Sequence, residues 1–547
     1  MKKQLLLLVL FALAFTEASA YSKYWVQFAD KNNTPYSVSN PSAFLSARSI
    51  LRRQNQGIPV TWYDLPVDPS YVSQVLATGA VTLNYSSRWF NAISITTTDV
   101  NALTAIAALP FVVSTSPVQR HSHPDRFSEE ANQNPQFRLA GPGNSSAQSY
   151  NYGSAYNQVH QINADCLHDL GYHGEGMQIA VLDDGFNNVN TVPAFDSIRL
   201  NNQILGTYDF VAGVQNVYSV GGHGTMVLSC MAANLPGQIV GTAPKASYWL
   251  LRTEEAATEY VIEEDNWVAG AEFADSAGAD IIATSLYYTE FDDVSQNHTY
   301  ADMNGRNTIA AQAAVFTARV GMLTFACAGN SGSSAWFYVG TPADADSILA
   351  VGAVDASNNL AGFSSRGPSY DGRVKPDICA MGVNATVVNS SANVTTANGT
   401  SFATPLSAGA AACLWQSDPT KTAMEVRHAI QLSSSQFFSP DSLKGYGIPD
   451  FCQSNILLSA QSENETNSFH VFPNPAEGAM TFSFAPLATE GVLELFDFTG
   501  KCVLRFSLQG GQSKFNADLS ALPAGIYFSR LTVNGKMAGR EKIVLSN

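Results

Sequence analysis

The sequence predicts an α/β domain with a doubly wound, mostly parallel sheet, preceded by a small α+β domain and followed by a small β-sandwich. Strand-like runs at 179–182, 281–284 and 323–326 indicate the parallel sheet, and the first is unbroken and apolar, as in a strand covered on both faces. Ligands bind at the carboxyl ends of such strands. The chain of 547 residues is also too long for one ordinary core, so two or more domains are expected.

The first 20 residues have the three parts of a secretory signal peptide. Lys2 and Lys3 precede the apolar run Leu5–Phe15, and the small residues Ala18–Ala20 offer a cleavage site. The apolar run is too short to span a bilayer. A buried helix is the alternative, which the charged start disfavours. No later segment is long and uninterruptedly apolar, so we expect an exported protein, either released or held at the cell surface without a transmembrane helix.

Residues 21–120 alternate strand-like and helix-like runs in the order βαββαβ with one extra helix, which is typical of a small α+β domain. The predicted strands are 24–29, 81–85, 93–97 and 112–115, and the predicted helices are 42–53, 71–77 and 100–108. An unrelated surface module would show the same pattern. The polar stretch 121–150, with several prolines and glycines, is expected to be an exposed linker in which the chain is cleaved.

A second polar linker, 459–468, separates the central domain, 151–458, from residues 469–547. In this last part short β-prone runs recur between turn signals, at 481–484, 492–496, 502–508 and 526–533, which predicts a small β-sandwich. A carbohydrate- or protein-binding sandwich is an alternative that the fold alone leaves open.

Composition excludes some functions. The formal charge is −16, from 45 acidic and 29 basic residues, which argues against nucleic acid as a partner. The seven cysteines lack the paired spacing of metal sites. Export permits disulfides, but the odd number leaves one thiol unpaired within a monomer, and the pairing is open. Cys230, Cys327 and Cys413 lie among small apolar residues and are expected to be buried.

Three motifs carry the candidate chemistry. Asp183 directly follows the first strand, His223 lies in the glycine-rich segment Gly221–Thr225, and Ser401 lies in Asn398–Pro405. The chain order Asp, His, Ser resembles that of the subtilase family of serine proteases. Further blocks carry the same resemblance over about 150–455: Gly241–Ala246, Ala328–Gly332, Phe363–Pro368 and Lys375–Asp377.

The resemblance implies a subtilisin-like fold and a secreted serine endopeptidase that cleaves polypeptides through an acyl-enzyme. Asp183 would orient His223, His223 would take the proton of Ser401, and Asn330 would donate to the oxyanion with the backbone amide of Ser401. A catalytically silent binding protein with the same fold is the alternative. Esterase or amidase action shares the same acyl-enzyme route.

The flanking domains also resemble known modules. Residues 21–120, in front of a subtilase, are similar to the family's propeptide, which acts as a folding template and a temporary inhibitor. Residues 469–547 resemble the C-terminal sorting domain of the type IX secretion system, through Val471–Pro475, Asp497–Lys501, Ala524–Tyr527 and Lys542–Val544. That machinery would place the protein outside the cell or on the bacterial outer membrane.

Some residues depart from the family's pattern. Asp184 competes with Asp183 for the role of acid and stands where the family usually has Ser or Thr, so a second carboxylate near the triad is expected to perturb the pH profile. Met226 replaces a second His that is not the base, and Phe402 replaces the more usual Met. Pro405 is expected within the first turn of a helix that Ser401 opens. The Asn398–Thr400 glycosylation sequon is interpreted as accidental.

Substrate binding is the least specific part of the prediction. Ser285, Leu286 and Tyr287 are expected to line one side of the cleft and to pair with an extended peptide. Ala328, Gly329 and Gly340 are expected to complete the primary pocket, with a broad or apolar preference because no acidic residue lies clearly at its base. No cofactor is expected. Structural calcium is common among subtilases, but no loop here matches the twelve-residue calcium pattern, so no metal ligand is assigned.

Overall fold

The structure, a computed structural model, describes residues 21–120, 150–465, 469–476, 478–497, 501–534 and 536–546. The chain forms two compact units, 1–455 and 456–547. The predicted signal peptide, the linker residues 121–149 and linker residues 466–468 lie outside the described residues. Among the residues described, no helix has the length and apolar character needed to cross a membrane.

The segment 21–120 forms a four-stranded antiparallel sheet in the order β2-β3-β1-β4, with helices packed on it. Its apolar core includes Val26, Ile93 and Ile106. The first helix begins at Ala47, later than the predicted 42, because Ser46 caps it by accepting a hydrogen bond from the amide of Ser49. The elements are β1 (Tyr21–Phe28), α1 (Ala47–Asn55), α2 (Pro69–Leu76), β2 (Thr82–Ser87), β3 (Ala92–Thr96), α3 (Val100–Ala107) and β4 (Val112–Arg120).

The segment from 150 onward is an α/β domain, as predicted. Its elements are α4 (Tyr156–His160), α5 (Ala164–Asp169), β5 (Gln178–Asp183), α6 (Asp196–Leu200), β6 (Ile204–Asp209), α7 (His223–Ala232), β7 (Asn234–Leu235), β8 (Ile239–Val240), β9 (Ser247–Arg252), α8 (Ile262–Ala277), β10 (Ile281–Thr284), α9 (Ile309–Arg319), β11 (Leu323–Cys327), β12 (Leu349–Val354), β13 (Ile378–Met381), β14 (Ala385–Val388), β15 (Val394–Ala397), α10 (Thr400–Ser417), α11 (Ala423–Leu432) and α12 (Phe451–Glu465).

Seven parallel strands form the central sheet in the order β13-β12-β11-β10-β5-β9-β6. From β5 the chain moves to β6 and β9 on one side, and it reaches β10 on the other side only after α8. The neighbouring strands β5, β10 and β11 therefore bring Asp183, Ser285 and the segment Ala328–Asn330 to one edge of the sheet. This edge is where ligands bind in open α/β sheets.

Cysteines cross-link this domain and pack in its core. A disulfide joins Cys166 of α5 to Cys452 of α12, across 286 residues of sequence. The sequence left this pairing open. Cys230, Cys327 and Cys413 are buried, which confirms their prediction as small core residues. Helix α12 continues through Glu465, so the first part of the predicted 459–468 linker is helical.

The C-terminal unit contains two antiparallel sheets that share one apolar core, which includes Phe482, Leu493 and Ile543. One sheet has the order β16-β17-β20 and the other has the order β19-β18-β21-β22. This arrangement is the predicted β-sandwich. Its strands are β16 (His470–Phe472), β17 (Ala479–Ser483), β18 (Gly491–Asp497), β19 (Cys502–Leu508), β20 (Lys514–Asp518), β21 (Gly525–Val533) and β22 (Lys536–Leu545).

The 21–120 segment packs on α8 through buried charged groups. Asp275 of α8 is fully buried and accepts hydrogen bonds from Arg52, Arg53 and Arg88. Burial opposes ionisation of this carboxyl, but the three guanidinium groups outweigh it and lower the pKa of Asp275. One turn earlier, Glu272 accepts the backbone amides of Arg88 and Trp89 at 2.9 and 3.1 Å. These contacts fix the small domain on the larger one.

Replacing Asp275 by Asn tests this interface. Three guanidinium groups would lose their shared counter-charge in a buried position, so the free energy of unfolding should fall by about 3–5 kcal/mol. The measurement is denaturant unfolding of the full chain in a Ser401→Ala background, which removes the expected nucleophile.

The control is Asp196→Asn, which breaks the more exposed Asp196–Arg199 pair and should cost at most about 1 kcal/mol. Equal losses for the two variants would show that the arginine cluster contributes nothing special.

Candidate active site

Asp183 is the last residue of β5 and is fully buried. Its Oδ1 accepts a hydrogen bond from His223 Nδ1 at 2.7 Å and one from the amide of Asp184 at 2.9 Å. A buried carboxylate needs such partners, since burial without them is costly. Asp183 therefore holds the imidazole in one orientation and one tautomer.

His223 begins α7, and glycine makes its position possible. A Cβ on Gly224 would come within 2.3 Å of the Gly185 carbonyl oxygen and 2.9 Å of the Asp183 Cβ. Any side chain there would push α7 away from β5 and break the contact between His223 and Asp183. The His223 side chain is 32% exposed, so its imidazole is still accessible from the solvent.

Asp184 has a different position from Asp183. Its carboxylate accepts the backbone amides of Gly222, His223 and Gly224 at 3.3, 3.4 and 3.0 Å, and so caps the amino end of α7. Asp183, not Asp184, contacts the imidazole. Burial, and then the charge of Asp183, raises the pKa of Asp184 to about 6. The sequence indicated the second carboxylate but not its capping role.

Ser401 lies in the first turn of α10 and is 6% exposed. Its Oγ donates to the Ser285 carbonyl at 3.4 Å, and the ring of the next residue, Phe402, lies 5.9 Å from the ring of His223. The first amides of a helix lack intrahelical partners and favour developing negative charge nearby. The amino end of α10 is therefore beside His223.

The prediction for Pro405 needs correction. It is the sixth residue of α10, not part of the first turn, because the helix begins at Thr400. Pro405 has no amide hydrogen to donate to the carbonyl of Ser401 four residues earlier. The Ser285 hydroxyl supplies that missing bond, donating to the Ser401 carbonyl at 2.8 Å. A proline four residues after a candidate nucleophile is a sequence signal for such a donor.

Asn330 follows β11 and is held by Thr400. Its Oδ1 accepts from both the amide and the hydroxyl of Thr400, each at 3.0 Å. The carboxamide is thereby turned so that Nδ2 lies 3.7 Å from the position a Cβ on Gly399 would take. Nδ2 is thus placed beside the segment that carries Ser401.

The predicted substrate-binding residues gather near this point. Leu286 and Tyr287 are half-buried. Ser285 is buried, and its hydroxyl donates a hydrogen bond to α10. The Tyr287 ring lies 3.0 Å from the position a Cβ on Gly329 would take and 2.9 Å from that on Gly340. Ala328, just before Gly329, is fully buried. A tyrosine ring therefore lies against both glycines.

Two groups among the described residues have the side chains and spacing to hold a metal ion. One is Asp183, Asp184 and His223. Its imidazole is bound to Asp183 Oδ1 and the Asp184 carboxylate accepts three amides, while Asp183 Oδ2 is buried without a hydrogen-bond partner. The other group is Glu254, Glu259 and Glu263, in the connection between β9 and α8.

A buried aspartate at the end of a parallel strand, an imidazole bound to it and a serine at a nearby helix start are the groups expected of a serine hydrolase. Residues 174–447 match the subtilase family, and the chain belongs to that family of serine-type endopeptidases.

Three curated proteins show the degree of similarity. Subtilisin E of Bacillus subtilis (strain 168) is 32% identical over 295 residues, 53% of this chain and 67% of the relative. Subtilisin DY of Bacillus licheniformis is 32% identical over 295 residues, which are 53% of this chain and 93% of the relative. Subtilisin BL of Lederbergia lenta is 30% identical over 291 residues, which are 53% of this chain and 94% of the relative.

The flanking segments match families of their own. Residues 23–135 match the peptidase S8 propeptide domain of Bacteroidota, and residues 470–546 match the secretion system C-terminal sorting domain. Both resemblances read from the sequence are confirmed. The sorting domain marks the chain as an exported protein.

Asp184 gives a prediction for pH dependence. With its pKa at about 6, its carboxyl is neutral below that pH and charged above it, and the charge favours the imidazolium form of His223. Asp184→Asn removes the charge, so the acidic limb of the kcat/KM profile should move to lower pH by up to about one unit. A Glu290→Gln variant of an exposed carboxylate is the control and should leave the limb in place.

The measurement is kcat/KM against pH for a neutral peptide substrate. An acidic limb that stays in place in Asp184→Asn would show that Asp184 carries no charge while His223 titrates.

Proposed function

We propose that this protein is a secreted serine endopeptidase in which Asp183, His223 and Ser401 form the catalytic triad and Asn330 contributes to the oxyanion hole. The observation that carries the proposal is the 2.7 Å bond between His223 Nδ1 and buried Asp183, beside the amino end of α10. Subtilases in general act without a cofactor, so the side chains supply the chemistry.

The mechanism follows from these positions. Ser401 Oγ attacks the peptide carbonyl carbon while His223 takes its proton, and Asp183 stabilises the resulting imidazolium. The oxyanion accepts hydrogen bonds from Asn330 Nδ2 and the Ser401 amide. Collapse breaks the C–N bond, and His223 gives its proton to the leaving amine. Water, activated by the same imidazole, then hydrolyses the acyl-enzyme and restores Ser401.

The 21–120 domain acts in this proposal as an intramolecular inhibitor. Its match to S8 propeptide domains and its charged interface with α8 support the role. Its last described strand, β4, ends at Arg120, so the connection to the catalytic domain runs through 121–149. We expect the enzyme to cut its own chain in that linker, after which the domain is held only by non-covalent contacts.

The C-terminal sandwich is the proposed export signal. Its match to secretion sorting domains supports recognition by type IX secretion machinery at the bacterial outer membrane. The partner would then be a protein of that machinery, and the product would be either released or attached to the cell surface.

Ser401→Ala tests the catalytic proposal. The variant should lose peptide hydrolysis by about 10⁶-fold in turnover, the size seen when a subtilisin nucleophile is removed. It should also accumulate as the uncut full chain, since self-processing needs the same group. Peptide hydrolysis and mass spectrometry of the secreted product measure both effects.

Ser407→Ala, a change in the same helix at a buried hydroxyl that bonds only its own turn, is the matched control. If Ser401→Ala is still processed at the normal rate and cleaves peptides, the proposed nucleophile is wrong.

The primary pocket suggests a preference for small apolar side chains. Gly329 and Gly340 would be its walls, and the Tyr287 ring covers both of them. A large side chain of the substrate would have to displace that ring. Small apolar side chains are a narrower class than the broad or apolar preference predicted from sequence.

Tyr287→Gly tests the pocket. Without the ring, kcat/KM for a peptide with Phe at the cleavage position should rise at least about tenfold relative to a peptide with Ala there. Tyr287→Phe keeps the ring and is the matched control, with no expected change in preference.

Paired peptides that differ only at that position provide the measurement. An unchanged Phe-to-Ala ratio in Tyr287→Gly would place the primary pocket elsewhere.

A further inference from the structure

The outer face of the four-stranded sheet in the C-terminal unit carries exposed apolar side chains. Along 526–531 of β21, exposed and buried residues alternate, as in a strand that lies with one face on a core. The outward residues are Ile526, Phe528 and Arg530. Ile526 and Phe528 are each 48% exposed, although they lie in the middle of a sheet. Neighbouring exposed apolar residues of this kind mark a candidate interaction surface.

One row across this sheet contains three arginines and a single carboxylate. Arg530 lies directly across from Arg540 of β22 on one side and from Glu494 of β18 on the other. Arg505 of β19 lies across from Glu494 in turn. The Glu494 carboxylate pairs with Arg530 at 2.7 Å and with Arg505 at 3.6 Å.

Arg540 gains nothing from this row. It forms no ion pair within the part of the chain that the structure describes, and its opposite neighbour is Arg530. Like charges directly opposite each other destabilise a sheet. Arg540 therefore weakens the fold at this position, which indicates that the cationic row serves binding and not stability.

The adjoining rows are largely apolar. Phe528 lies across from Phe496 of β18 on one side and from Lys542 of β22 on the other, and Ile526 lies across from Val544. The Arg530 guanidinium lies 4.6 Å from the centre of the Phe496 ring, so the cationic and apolar rows are in contact. We call these outward side chains the basic face, and its main members are Arg505, Arg530, Arg540, Lys542, Ile526 and Phe528.

The charge of the basic face differs from that of the chain as a whole. Its rows contain four cations and the one carboxylate of Glu494, and residues 469–547 contain seven basic and six acidic residues. The whole chain has a formal charge of −16. An anionic surface would therefore repel most of the protein and attract this face.

The chemistry of the basic face fits phosphates that lie above an apolar layer. Guanidinium groups bind phosphate oxygens in pairs, and exposed Phe and Ile side chains suit the boundary between lipid headgroups and acyl chains. Size disfavours a protein partner. With strands about 4.8 Å apart and a rise of about 3.4 Å per residue, five positions on four strands cover only about 300 Å². A stable protein interface needs about 800 Å² on each partner.

We propose that the basic face binds anionic lipid headgroups at a membrane surface. The arginine row would contact the phosphates, and Ile526 and Phe528 would enter the headgroup region beside them. Binding of this kind is peripheral and reversible, because it combines a small apolar area with charges that salt screens. It would give the exported chain a membrane contact through the surface of its C-terminal sheet.

Co-sedimentation of the full chain with lipid vesicles tests the proposal, in a Ser401→Ala background to prevent self-cleavage. One set of vesicles contains equal parts of phosphatidylglycerol and phosphatidylcholine, and the other contains phosphatidylcholine alone, which has phosphates but no net charge. We expect binding to the anionic vesicles only. Binding should weaken at least about tenfold between about 0.05 and 0.5 M salt.

Arg540→Glu separates binding from folding. The new carboxylate would lie across from Arg530 and pair with it, so Tm should stay the same or rise. Reversal of one charge on the face should weaken binding at least about tenfold, since each basic residue near an anionic membrane contributes about fivefold. Phe528→Ser should weaken binding about fivefold at both salt concentrations, because it removes apolar contact and no charge.

Lys514→Glu is the matched control. It makes the same change of charge at an exposed position of β20, in the other sheet of the sandwich. Packed sheets are about 10 Å apart, which exceeds the screening length of about 8 Å at physiological salt. Binding should stay within about twofold of the parent. If Arg540→Glu lowers Tm, Arg540→Gln replaces it, with an expected loss of about fivefold.

A chain that does not bind the anionic vesicles overturns the proposal. Equal losses in Arg540→Glu and Lys514→Glu also overturn it, since net charge and not the basic face would then control binding. Absence of vesicle binding together with loss of export in Arg540→Glu would assign the face to an acidic protein partner instead. Vesicle binding and Tm depend on neither hydrolysis nor export, so their failure leaves the proposed function in place.

Discussion

The buried carboxylate of Asp183 is the constraint on which the site depends. It ends a central strand inside the sheet, where an unpartnered charge would be unstable, and His223 supplies the partner. The imidazole can reach it only because Gly224 lets α7 approach β5 closely. Asp184 then anchors the amino end of α7 through three amides. The position of the imidazole is thus a consequence of how one strand end is neutralised.

The position of Ser401 also depends on a hydrogen bond that replaces one the helix lacks. Pro405 interrupts the ladder of α10 at the carbonyl of Ser401, and Ser285, at the end of β10, restores the missing donor. The same replacement ties the helix start to the sheet edge. A proline that would only weaken an ordinary helix therefore couples Ser401 to the strand that is expected to bind substrate.

The sequence predicted the architecture because its signals are local. Buried strands, the glycines around His223 and the chain order of the three motifs can all be recognised along the chain, and the observed sheet and the family agree with them. Contacts between distant segments could not be predicted in this way. The Cys166–Cys452 disulfide and the bond from Ser285 to Ser401 join segments far apart in sequence, so no local pattern reports them.

Helix α8 carries buried carboxylates whose surroundings differ between its two ends. Asp275 near its end is neutralised by arginines of the 21–120 domain, and these would leave if that domain dissociated as proposed. Departure of the domain would also expose this surface, so water would solvate Asp275 and reduce the cost of losing the arginines. Glu263 at the start of the helix differs, since Glu254 and Tyr288 of the catalytic domain itself enclose it. Departure of the 21–120 domain need not hydrate that end. The carboxylates at the start of α8 are therefore enclosed by the catalytic domain alone, while the carboxylate near its end depends on contacts with the 21–120 domain.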